Sequence, residues 1–237
     1  HGLRNTLWPQ PESMPRAFLP KPLPPNTKED AKEHWDGLGK PLGSLGRLED
    51  VVIQIAGIQR TPQIHIENKA LVIMCADNGV VEEGVTQCGQ EVTASVAENF
   101  LDEKSCVAIM CKRAGAGIFP VDIGMAVDTP RVEKRKIAYG TKNMTKEPAM
   151  TRAQAVAAIE AGIAKAPELK NLGYELLATG EMGIGNTTTS SAMTAVFLGM
   201  EPEMVTGRGA GLSGDGLKRK VQAIRRAIFL HEPDASD

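Results

Sequence analysis

The stretch GEMGIGNTTTSS, residues 180–191, concentrates groups that can hold an anion. Gly180, Gly185 and Thr187 stand where the phosphate-loop pattern G-x-x-x-x-G-K-[ST] requires them, but Asn186 takes the place of the lysine. Eight of the nine residues from Gly183 to Ser191 are glycine or polar, and the apolar residues beyond predict a helix over 187–199. A loop of this kind brings backbone N–H groups, a helix dipole and several hydroxyls to one point. Glu181 would repel a triphosphate, and the lysine that reaches β- and γ-phosphates is missing, so the pattern suits a phosphate monoester better than a nucleoside triphosphate. The plain alternative is a Gly/Thr helix cap with no ligand.

Two further loops could join it. TGRGAGLSGDG, residues 206–216, carries Arg208, a planar fork for phosphate or carboxylate, and Gly209. Lys220 follows in LKRKVQAIRR, where a solvated helix face is the simple reading and a reach back over the loop the functional one. ADNGVVEEGVTQCGQ, residues 76–90, places Asp77 at a strand end and Gln90 where its amide could meet a ligand edge. Asp77, Glu82 and Glu83 lack EF-hand spacing, and no metal is assigned. There is no G-x-S-x-G elbow, and His1, His34, His65 and His231 lie away from these loops, which argues against a Ser-His or Cys-His relay. No G-x-G-x-x-G follows a strand, which argues against a nicotinamide dinucleotide enzyme.

The elements that must position these loops alternate. KALVIMCA, from residue 69, reads as a buried strand, and residues 91–114 as helix broken near Asp102. GAGIFPVDIGM reads as a second strand, and residues 151–166 as a helix opened by a Thr151-x-x-Gln154 capping box. GYELLATGEM makes a third strand, EMVTG a short fourth, and residues 215–230 a last helix. This order predicts an α/β fold, a parallel sheet covered on both faces, with ligands outside the carboxyl ends of its strands. Ahead of it, residues 27–65 read as a small helical segment. One helix opens at Thr27, and another has Ser44 as N-cap and a stripe of Leu45, Leu48, Val52, Ile55 and Ile58. Residues 1–26 hold seven of the fifteen prolines and read as an extended arm or a tail.

The chain has 237 residues, 42% of them apolar, a net charge of −2, and only two Trp, two Tyr and five Phe. The near-neutral charge and scarce aromatics argue against nucleic acid. No apolar run approaches 18 residues, so no membrane span is expected, and no signal-peptide h-region stands at the N-terminus. Cys75, Cys88, Cys106 and Cys111 have no C-x-x-C or His partner spacing and read as reduced thiols of a cytoplasmic protein.

Together KPLGSLGRLE, ADNGVVEEGVTQCGQEVTASVAENF, GEMGIGNTT and TGRGAGLSGDGLKRK resemble the nicotinate-nucleotide–dimethylbenzimidazole phosphoribosyltransferase family, in order and with compatible spacing from about residue 28 onward. The resemblance implies a Rossmann-like domain over 66–237 beside the helical segment, a homodimer and no cofactor. It also implies transfer of phosphoribose from nicotinate mononucleotide to 5,6-dimethylbenzimidazole, with inversion at C1′, giving α-ribazole 5′-phosphate and nicotinate for cobalamin. On the same ground Glu181 and Lys220 are the catalytic residues, Glu181 at the reaction centre and Lys220 as the lysine of the last motif. Gly183, Gly185, Asn186, Thr187 and Thr188 line the mononucleotide, Arg208 and Gly209 complete its anion site, and Asp77 and Gln90 wall the benzimidazole pocket. The family's general base is a glutamate in a segment after the last helix. The sequence ends LHEPDASD, so the resemblance implies a Rossmann-like domain truncated at its C-terminal end, with no residue here in the base's role. The competing readings are an inactive fragment of that enzyme, a non-catalytic mononucleotide or benzimidazole binder, and a degenerate P-loop NTPase.

Overall fold

The computed structural model describes residues 27–236, so the proline-rich stretch 1–26 lies outside the described residues. The chain divides into two units between Ile66 and Glu67. In the first, α1 (Thr27–Asp36) and α2 (Arg47–Gln59) are the helices described. Glu29 and Asp30 in the first turn of α1 and His34 in its last complement the helix dipole. Ser44 does not cap α2: the helix begins one residue after Gly46, with no side-chain cap. Gly43 and Gly46, both at positive φ, turn the chain beyond Ser44. Glu49 in the first turn instead reaches back past the cap, accepting the Leu45 N–H at 3.1 Å and pairing with Lys40 at 2.9 Å.

The second unit is built on a parallel sheet of β1 (Lys69–Ala76), β2 (Ala116–Gly124), β3 (Glu133–Lys134) and β4 (Leu176–Met182), in the order β3-β2-β1-β4. The helices α3 (Glu91–Leu101) and α4 (Cys106–Ala114) connect β1 to β2, and α5 (Arg152–Asn171) leads from β3 to β4. Successive β1 residues feed opposite faces, as strand geometry requires. Ile73 and Cys75 pack with Ala94, Ala97 and Phe100 of α3, whereas Ala70 and Val72 pack with Val121 and Leu169 of α5. Side chains as buried as Ile73 and Phe100, at 3% and 5% exposure, each contribute about 1.5–3 kcal/mol.

The local signals act as expected at most helix ends. The chain breaks at Asp102, and Ser105 caps α4 by accepting the Ala108 N–H. Thr151 and Gln154 form the capping box of α5. That helix does not stop at residue 166 but runs through Pro167 to Asn171. Proline inside a helix costs about 3 kcal/mol. Fully buried Leu169 and the Lys165–Glu133 ion pair anchor the extra turn against the sheet and offset that cost.

The fourth strand expected at EMVTG is absent. Residues Pro202–Val205 form a single helical turn, α7, with Pro202 at a position that needs no N–H. The sheet's remaining strand is β3 instead, two polar residues whose pairing with Val121 and Asp122 no apolar period announces. Helices α6 (Asn186–Leu198) and α8 (Gly214–His231) complete the unit, with Ser213 capping α8 through the Gly216 N–H.

Candidate active site

From β1 the chain goes one way to β2, and from β3 it returns to place β4 on β1's other side. β1 and β4 stay paired through Cys75 and Met182, and the connections on their two sides run in opposite directions, which makes this the switch point where the ligand crevice of a parallel sheet lies. The loops leaving β1 and β4 touch there. A Cβ on Gly183 would fall 2.0 Å from the Ala76 carbonyl oxygen, and one on Gly185 would fall 2.8 Å from Val81 Cγ2. Gly185, at φ 91°, swings the chain into α6.

The first turn of α6 is not bare. The Asn186 N–H donates to Gly183 O at 3.1 Å and the Thr188 N–H to Gly185 O at 2.9 Å. The Thr188 hydroxyl is buried without a partner among the described residues. Asn186 donates its side-chain amide to the Glu181 carboxylate, which stands exposed at the end of β4.

Against this turn comes Lys220 of α8. Its simple reading as a solvated residue is wrong: it is 1% exposed. Nζ donates to Thr187 Oγ1 at 2.7 Å and to Gly207 O at 3.1 Å. An ammonium has three N–H donors, and no carboxylate pairs with this one among the described residues. Burial pulls its pKa below the usual lysine value. Gly209, at φ 57°, closes the group: a Cβ there would sit 2.8 Å from Thr187 Oγ1 and 3.5 Å from Lys220 Nζ. A buried lysine with no carboxylate partner among the described residues, a threonine hydroxyl and a helix N-terminus form a group that can receive an anion, with Glu181 the nearby carboxylate on the Asn186 side.

The other expected residues sit farther out or deeper in. Arg208 is exposed, and its Nη1 donates within its own loop, to Leu212 O at 3.4 Å. Asp77 is fully buried. Its Oδ2 accepts the Ala126 N–H at 2.7 Å, and burial raises its pKa. Gln90 donates from Nε2 to Asn78 O at 3.1 Å. Glu82 and Glu83 face no metal site. Asn143, Thr145 and Arg226 engage Glu83, and Asn143 with Lys146 engages Glu82. Among the described residues no cluster of His, Cys, Asp and Glu could hold a metal, and no helix is long and apolar enough to cross a membrane. A separate cavity of about 150 Å³ lies between Ala76, Gly124, Ile137, Thr141 and Gln154, and does not include Glu181 or Lys220. Sequence reasoning missed Asn78 and Thr93. Asn78 lay in plain view in ADNG, while nothing local marks Thr93, whose hydroxyl accepts the Ile184 N–H at 3.0 Å.

The family model DBI_PRT, described as a phosphoribosyltransferase, matches residues 21–237. A protein of Acetivibrio thermocellus named nicotinate-nucleotide–dimethylbenzimidazole phosphoribosyltransferase is 50% identical over 204 residues, which cover 85% of this chain and 58% of its own length. A protein of the same name from Ruminiclostridium cellulolyticum is 48% identical over 219 residues, 92% of this chain and 62% of its own length. The crystal structure of CobT from Thermus thermophilus superposes with a TM-score of 0.83 at 39% identity, over 88% of this chain and 64% of that one. The chain thus spans 58–62% of the length of these curated relatives.

Proposed function

The chain belongs to the DBI_PRT phosphoribosyltransferase family, and from that premise we propose that it moves the phosphoribosyl group of nicotinate mononucleotide to 5,6-dimethylbenzimidazole. The observation that carries this proposal is Lys220, a buried ammonium with no carboxylate partner among the described residues, set against the first turn of α6. It suits the single 5′-phosphate of a mononucleotide. Thr187 and Thr188 add hydroxyls, Gly183, Gly185 and Gly209 allow close approach, and exposed Arg208, on the same loop as Gly209, completes the anion site in this reading.

With the phosphate held there, the ribose lies toward Glu181 and Asn186. In the reaction the bond from C1′ to the pyridine nitrogen breaks, and nicotinate leaves with the electron pair. An unprotonated ring nitrogen of the benzimidazole bonds to C1′ from the opposite face, and its other ring nitrogen gives up its proton to water. Positive charge builds on the ribose as the first bond stretches, and the Glu181 carboxylate, oriented by the Asn186 amide, stabilises it. No described residue is given the role of proton acceptor. Gln90 and, behind it, Asp77 belong to the wall on the β1 side. A cytoplasmic homodimer is part of the same proposal.

The test is to mix the chain with both substrates and follow nicotinate by chromatography. Release that requires the benzimidazole supports the proposal. Mononucleotide binding without release, also in a chain extended to the relatives' length, rejects transfer in favour of a binding protein. Absence of binding rejects the site.

A further inference from the structure

We infer that Asn78, a residue outside the anion receptor itself, positions the glycine loop and the first turn of α6 for the ligand. This rests on the mononucleotide reading of that loop. Asn78 leaves the end of β1 in extended conformation, at φ −109° and ψ 118°. Its amide then reaches across the switch point. Nδ2 donates to Ile184 O at 3.2 Å, and Oδ1 accepts the Thr189 hydroxyl at 2.9 Å. Its main-chain oxygen accepts from Gln90 Nε2 at 3.1 Å and from the Val81 N–H at 3.2 Å. One side chain thus ties together the loop before α6 and the helix itself, while its backbone holds the start of the β1 loop.

The chemistry explains the residue type. A carbonyl only accepts and the threonine hydroxyl here donates, so the site needs a donor and an acceptor about 2.3 Å apart, which a carboxamide supplies. A carboxylate of the same shape would face the Ile184 carbonyl without a proton, beside fully buried Asp77. Gly183 and Gly185 come so close to Asn78 that a Cβ on them would lie 3.0 Å from its Nδ2 and 3.1 Å from its Cβ. On the other side Thr93 holds the Ile184 N–H. Ile184 is therefore gripped at both its peptide groups, and the two residues after it are Gly185 and Asn186, where the proposed ligand site begins.

Positioning of this kind differs from a stability contribution in what it changes. A misplacement near 1 Å can cost about 100-fold in a site that needs aligned groups, even where the fold survives. Asn78→Ala should therefore weaken nicotinate mononucleotide binding about 10- to 100-fold by calorimetry while the circular dichroism spectrum is unchanged. Thr189→Val keeps the shape and loses only the hydroxyl, and should cost about fivefold, one hydrogen bond. Because both variants cut the same link, the double variant should bind no worse than Asn78→Ala alone. Amide hydrogen exchange supplies a readout that needs no ligand: Asn78→Ala should speed exchange at Ile184, Asn186 and Thr188 about tenfold and leave α5 unaltered.

Wild-type binding with unchanged affinity in both single variants overturns the inference, as does unchanged exchange in the loop. If the unsubstituted chain fails to bind the mononucleotide, the functional reading falls, and the exchange result alone then decides whether Asn78 holds the loop. Should Asn78→Ala not fold, Thr189→Val carries the same test, since it keeps the side-chain shape and removes one part-buried hydrogen bond.

Discussion

Replacing Lys220 by methionine separates an anion receptor from a structural rivet, because the two roles predict opposite signs. The lysine is 1% exposed, and burial alone depresses its pKa. Its two acceptors, Thr187 Oγ1 and the Gly207 carbonyl, are neutral. An ammonium held this way carries a desolvation cost that no partner charge returns, and a methionine of similar volume removes it. The unliganded Lys220→Met protein should be more stable by about 1–2 kcal/mol, the scale seen when buried charges give way to packed apolar groups. In a chain of this size that raises Tm by about 2–8 °C. Ligand binding should move the other way. Loss of one charge-assisted hydrogen bond to phosphate removes about 1.5–3 kcal/mol, or about 10- to 150-fold in Kd. The matching riboside, which lacks the phosphate, should bind both proteins alike. Urea denaturation gives the first quantity and calorimetry with the mononucleotide and the riboside gives the second. The pH dependence follows from the depressed pKa. Above the unfolded value of 10.5 both states are neutral and there is no penalty, and as pH falls below it the unfolded chain takes up the proton first. Wild-type stability is therefore lost as pH falls from 10.5 toward the folded value, and the advantage of Lys220→Met shrinks as pH is raised back through that window. A variant that is several kcal/mol less stable and binds the mononucleotide as before would refute the reasoning and make Lys220 a tie between α8 and its neighbours.

Three other substitutions probe the rest of the site. Glu181→Gln keeps an acceptor for Asn186 but loses the charge, so nicotinate release should slow about 100- to 1,000-fold while mononucleotide Kd stays within about threefold, measured by single-turnover chromatography and calorimetry. Gly183→Ala would drive a Cβ to 2.0 Å from the Ala76 carbonyl oxygen. The backbone must move, and denaturation should show a loss of about 1–3 kcal/mol or more. Asp77→Asn tests the buried carboxyl. Its folded pKa lies above the ordinary 3.8, so below 3.8 both states are protonated, and wild-type stability falls as pH rises through the window above it. Asparagine does not ionise, so the variant's stability relative to wild type should increase between pH 3.8 and neutrality; a difference independent of pH would show that burial does not perturb Asp77.

The residues themselves determined what nearest neighbours control. Apolar runs gave strands at KALVIMCA and LLATGEM, the capping box at Thr151 opened α5, and the glycines around Ile184 marked a loop feeding a helix. Each rests on periodicity or a cap within a few residues, and the family resemblance rested on whole motifs. What the chain could not declare locally was burial and partnership. Pro167 sits inside a helix because Leu169 and Lys165 find the sheet, and β3 exists because β2 lies beside it. Lys220 has the sequence context of a surface lysine, yet folding buries it against a threonine 33 positions away. Asn78 meets Ile184 and Thr189 across 106 and 111 positions. Only the parallel sheet, by placing β4 on the far side of β1, brings those groups together, and only the packed fold takes Lys220 out of water with no carboxylate partner among the described residues.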